Sequence, residues 1–151
     1  MTFDQTVAIA TAVATVATAV IMFFQYRQTA ATSSPYFRAV GDRQPNGQVL
    51  IRILITPGDA EMQIASIRSA AKLQLADEKV GHTGRVEFHP SEQPPSRVLP
   101  MRELIEPARI SSSEKLVWLF ASTTSDRISL NIRTNRPLVR YSIQAEIRTS
   151  S

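Results

Sequence analysis

The feature that most constrains this chain is a side-chain alternation of period two. In Gln48–Thr56 it places Val49, Ile51, Ile53 and Ile55 on one face. Leu50 and Leu54 stand on the other, interrupted by Arg52. Successive side chains of a strand point to opposite faces, so this segment reads as a strand with one buried face and one partly covered face. The pattern recurs in Tyr36–Val40, Met62–Ile67 and Ala71–Ala76, the last with Leu73 and Leu75 inward and Lys72 and Gln74 outward. It returns in Arg85–His89 with Val86 and Phe88 inward, and in Lys115–Ser122 through Leu116, Trp118 and Phe120. Ile128, Leu130 and Ile132 carry it through Arg127–Thr134, and Val139, Tyr141, Ile143, Ala145 and Ile147 carry it almost to the end.

Turn chemistry separates these runs: Pro45-Asn46-Gly47, Pro57-Gly58-Asp59, Gly81-His82-Thr83-Gly84 and Asn135-Arg136-Pro137. The expected soluble domain, residues 36–151, is therefore mainly β. It is expected to be an antiparallel β-sandwich of about eight strands, immunoglobulin-like in the broad sense, with a closed barrel as the alternative. Trp118 is expected in its core. The chain has no cysteine, so the paired cysteines of true immunoglobulin domains are absent. Thiol catalysis, iron–sulfur clusters and cysteine zinc sites are excluded with them.

One segment breaks the rhythm. Five of the nine prolines fall at 90, 94, 95, 100 and 107. Proline removes a ladder donor, so this stretch is not a central strand. A short helical turn is expected over Met101–Glu106, between Pro100 and Pro107. Leu99, Leu104 and Ile105 would plug the end of the sandwich.

The N-terminal region is built differently. Thr6–Phe24 has no charge, glycine or proline, and holds six Ala and four Thr. Phe23, Phe24 and Tyr26 cluster at its end, followed by Arg27. The expectation is a tail over 1–5, a single-pass transmembrane helix over 6–26 and a linker over 27–35. A cleaved signal peptide lacks support, since no positive charge precedes the run. A soluble amphipathic helix lacks a polar face beyond threonine. A helix packed inside a filament or virion-like assembly remains an alternative. Arg27, Arg38 and Arg43 follow the helix, so the positive-inside rule places the C-terminal domain in the cytoplasm. Thr11, Thr15 and Thr18 share a helix face that would allow close self-association. The same hydroxyls can instead bond back to their own helix.

The formal charge of +4 is unevenly distributed. Residues 27–126 are almost balanced, whereas 127–151 hold five arginines against Glu146. Period two points Arg133, Arg140 and Arg148 outward, with Arg136 in the turn. This is a candidate contact for anionic lipid headgroups, an acidic partner or nucleic acid. The simpler account is a solvated face that resists edge-to-edge pairing. No aromatic stands on the outward face of this final hairpin, which argues against nucleic acid.

Nothing in the sequence assembles a catalytic centre. Nucleotide-loop, nucleophile-elbow and zinc-protease motifs are absent. Glu87 and His89 share a strand face with His82 nearby, which falls short of a metal ligand set. Ser111-Ser112-Ser113 has no base placed beside it. The expectation is a non-enzymatic membrane-anchored interaction or assembly module, without cofactor or small-molecule substrate. Its partners would be the bilayer and either another protein or a second copy of itself.

Overall fold

A computed structural model describes residues 3–32, 34–110, 113–136 and 139–149. It divides into two compact units, one ending at Ser34 and one beginning at Pro35.

The first unit is helix α1, Phe3–Thr32. At 1.5 Å per residue it is about 45 Å long. It takes in most of the residues read as tail and linker. Among the described residues, no helix is long and apolar enough to cross a membrane. This overturns the transmembrane helix, the single-pass membrane location and the cytoplasmic orientation drawn from Arg27, Arg38 and Arg43. The physical reason lies in composition. Thr11–Ala19 holds four Ala and three Thr against two Val. Insertion is driven chiefly by Leu, Ile, Phe and Val.

The second unit contains eight strands: β1 Tyr36–Arg43, β2 Val49–Thr56, β3 Met62–Val80, β4 Val86–Pro90, β5 Ser96–Ile105, β6 Lys115–Ser122, β7 Arg127–Thr134 and β8 Arg140–Thr149. They do not form two facing sheets. The ladder runs β3-β6-β2-β1-β8-β7 and returns to β3, a closed six-stranded barrel with β4 and β5 attached to β3. The sandwich is thus replaced by the barrel alternative.

Closure depends on β3. At 19 residues it is long enough to serve both ends of the ladder. One edge pairs with β7 over Ile64–Arg68 and then with β6 over Lys72–Leu75. The other edge carries β5 and then β4. Register shifts between Ile64 and Ser66 and between Arg68 and Leu73 bend the strand between these roles. Such irregularities turn corners in barrels. The second closing feature is the β1–β8 pair, which is parallel over Ala39–Arg43 and Ala145–Thr149.

The interior is filled as the period-two pattern requires at most strands. Ile51, Ile53 and Ile55 of β2 are fully buried, with Met62, Ile64, Ile67 and Leu73 of β3 and Leu130 and Ile132 of β7. Near the β1–β8 seam three of the interior residues are small, Ala39, Gly41 and Ala145. A Cβ on Gly41 would stand 3.0 Å from Val49 Cγ1 and 3.1 Å from Ile147 Cγ1, so glycine lets the parallel strands close over the core. Gly47, at φ +82°, lets the β1–β2 hairpin turn sharply.

Three sequence expectations are corrected here. In β6 the inward residues are Val117, Leu119 and Ala121; Leu116, Trp118 and Phe120 face outward. Trp118 therefore lies outside the barrel core. Its ring packs against Phe88 at a centroid distance of 4.3 Å, and the Arg52 guanidinium sits 5.8 Å from its centroid. In β4, Val86 is exposed rather than inward, and Phe88 is half-buried beside Trp118. Finally, Met101–Glu106 is not a helical turn, because β5 continues to Ile105 through Pro100. The strand pairs only with β3, so Pro100 occupies an edge, where a missing donor is tolerated. Leu99 and Ile105 enter the core while Leu104 stays exposed.

Candidate anion-binding surface

The arginines of β7 and β8 are outward, alternating with Ile128, Leu130, Ile132 and Ala145. Their register fixes their neighbours. At one end of the ladder Arg127 stands opposite Glu146, and the pair approaches to 3.9 Å. At the other end Arg133 stands opposite Arg140. Both are exposed, and among the described residues neither has a carboxylate or hydrogen-bond partner. Arg136, in the turn between the strands, donates from its guanidinium to the Glu61 carbonyl at 3.5 Å. Like charges placed directly opposite across a ladder destabilise it. The sequence thus holds three cations together at one end of the hairpin without neutralising them.

Arg148 lies at the far end of β8, in register with Asp42 of β1. The four predicted arginines therefore do not converge on one point. Arg133, Arg136 and Arg140 are grouped, and Arg148 stands apart along the same strand.

The barrel also brings in residues that the hairpin alone does not reveal. β1 lies beside β8, and its outward residues are Tyr36, Arg38, Val40 and Asp42. Tyr36 is 68% exposed. Pairing between the two strands covers only 39–43 and 145–149 and does not extend to Tyr36. A polar cleft of about 370 Å³ lies along this seam, lined by Tyr36, Arg38, Val40, Gln144, Glu146 and Arg148 among others. Along the seam, Arg148, Arg38 and the Arg133/Arg136/Arg140 group follow one another, and Tyr36 falls between Arg38 and that group. The sequence showed that Tyr36 and Arg38 share a strand face, but no local signal places β1 against β8.

Other arginines have structural work. The Arg43 guanidinium donates to the carbonyls of Thr123, Thr124 and Ser125 at 3.0–3.3 Å and holds the loop between β6 and β7. Arg52 covers Trp118. This contrast separates the cations used by the fold from those left to solvent.

The edge-protection account of the basic face is weakened by closure. β7 is paired with β3 and β8, and β8 with β7 and β1, so neither is an edge. The edge strands are β4 and β5, which pair with β3 alone among the described residues.

The remaining candidates are simpler. Thr15 Oγ1 donates to the Thr11 carbonyl and Thr18 Oγ1 to the Ala14 carbonyl, each at 2.9 Å, so these hydroxyls are used within α1. His89 Nε2 is 3.5 Å from Glu87 Oε2, both half-exposed, and His82 stands in the preceding turn. Among the described residues no three potential ligands are grouped for a metal ion. Ser111 and Ser112, like the Arg27 side chain, lie outside the described residues. The sequence matches no protein-family model and no curated protein.

Proposed function

We propose that the barrel is a non-catalytic binding module that takes an extended anionic partner along the outer face of β7, β8 and β1. The observation that carries this is Arg133 directly opposite Arg140, exposed and unneutralised, on strands that need no edge protection. Arg38 and Arg136 extend the positive surface, and Arg148 adds a further guanidinium beside the Asp42 and Glu146 carboxylates. A ligand held by several guanidinium groups releases condensed counterions as it binds. Binding of fluorescent inorganic polyphosphate to the full chain is therefore expected to weaken steeply with salt. For three to five contacts at a slope near 0.9 per contact, affinity falls roughly 40- to 500-fold between 50 and 200 mM. A flat salt response, or no binding at 50 mM, rejects the proposal.

A second reading rests on α1. Val13, Val16, Met22 and Phe24 are each about 60% exposed, and they lie on several sides of the helix. Large apolar side chains exposed on several sides of a helix mark a surface that ordinarily packs against a partner. A second copy of α1 is the proposed cover, making the chain an assembly subunit. Sedimentation of the full chain is expected to show oligomers that Val13→Glu with Val16→Glu reduces to monomers. A wild-type monomer at tens of micromolar sinks this reading.

A further inference from the structure

We infer that the anionic partner is a single-stranded nucleic acid, lying along the β1–β8 seam with a base stacked on Tyr36. This rests on the proposed anion-binding function and goes beyond it. Three observations carry it. The guanidinium groups are spread along the seam, the Arg133/Arg136/Arg140 group and Arg38 flanking Tyr36 and Arg148 lying further on beside the Asp42 and Glu146 carboxylates, which suits an extended ligand whose charges are spaced along its length. Arg148 is level with Asp42, Arg38 is four residues further along β1, and Arg133, Arg136 and Arg140 lie beyond Tyr36. Next, Tyr36 presents a flat ring to solvent, 68% exposed, between cations on either side. Finally, the β1–β8 pairing stops short of it, and a polar cleft of about 370 Å³ lies beside it, within the range of small-ligand sites.

Single strands are bound by this combination of a positive track and an aromatic platform. A duplex keeps its base faces stacked internally and has none to offer Tyr36. A peptide of aspartate and glutamate supplies charge but no aromatic ring to stack on Tyr36. Phe37, on the opposite face of β1, packs against Tyr141 with ring centroids 4.7 Å apart. Removing the Tyr36 side chain therefore leaves the core contact intact.

The test measures the full chain against a labelled 12-nucleotide single strand, the matching duplex, polyglutamate and inorganic polyphosphate. The single strand is expected to bind most tightly. Tyr36→Ala is expected to weaken single-strand binding about 5- to 100-fold while polyphosphate binding stays within twofold. Tyr36→Phe, which keeps the stacking face, is expected to restore single-strand affinity. Equal loss for both ligands in Tyr36→Ala, or a preference for duplex or polyglutamate, overturns the inference and leaves the anion-binding function standing. Failure of wild type to bind any of the four overturns both.

Discussion

Leu119→Ala is expected to lower the unfolding free energy by about 2–5 kcal/mol, while Leu116→Ala costs under about 1 kcal/mol. The two leucines are three residues apart on β6 and look alike in sequence. Leu119 is fully buried, paired in register with Ile51 on one side and Leu75 on the other. Truncating it removes apolar contacts from a barrel interior whose neighbours are held by ladders on both sides, so the cavity does not collapse. Leu116 is 47% exposed on the outer face opposite Leu54, and its loss is largely filled by water. Urea denaturation of the full chain, followed through Trp118 and by circular dichroism, measures both. A larger loss for Leu116 than for Leu119 would mean that β6 presents the other face to the core.

That comparison also shows where the sequence stopped being informative. In β2 the alternation is decisive, because Val49, Ile51, Ile53 and Ile55 face Arg52 across the strand. In β6 both faces are apolar, and the larger set, Leu116, Trp118 and Phe120, resembles a core stripe. The barrel interior, however, takes Val117, Leu119 and Ala121. Trp118 instead packs outside it, beside Phe88 and Arg52. Hydrophobicity marks both faces as covered but does not say which one is inside. The β3 segment shows a related limit. Its Arg68–Ala70 interruption reads as a gap between two strands, yet the backbone continues through a bend that is needed for closure. Parallel pairing of β1 with β8 joins residues over a hundred positions apart and leaves no local trace. The outward arginines were legible because period two assigns them without reference to neighbours. Tyr36 and Arg38 became part of the surface only once closure set β1 beside β8.

Arg140→Glu is expected to stabilise the barrel while it weakens anion binding, two effects of opposite sign from one substitution. Arg133 and Arg140 are register partners at one end of the β7–β8 ladder. The new carboxylate would face the Arg133 guanidinium, replacing a repulsive cross-strand pair with an attractive one. Such exchanges contribute about 0.2–1 kcal/mol, or a rise of a few degrees at most in Tm for a domain of this size. Binding responds the other way, because a cation within the positive line becomes an anion. Polyphosphate affinity at 50 mM salt is expected to fall at least about 10-fold, with a salt slope shallower by about one contact. The double variant Arg133→Glu with Arg140→Glu restores a like-charge pair. Its stability should return toward wild type, while binding drops on the order of 100-fold or more as a second contact is reversed. The combined pattern, stability rising and then falling back as affinity declines at each step, follows only if the two residues face each other and also face the ligand. Loss of stability in the single variant would contradict the register. A stabilised single variant with unchanged binding would show that the arginine pair serves something other than anion capture, since a sheet optimised for stability alone would already carry the opposite-charge pair seen at Arg127 and Glu146.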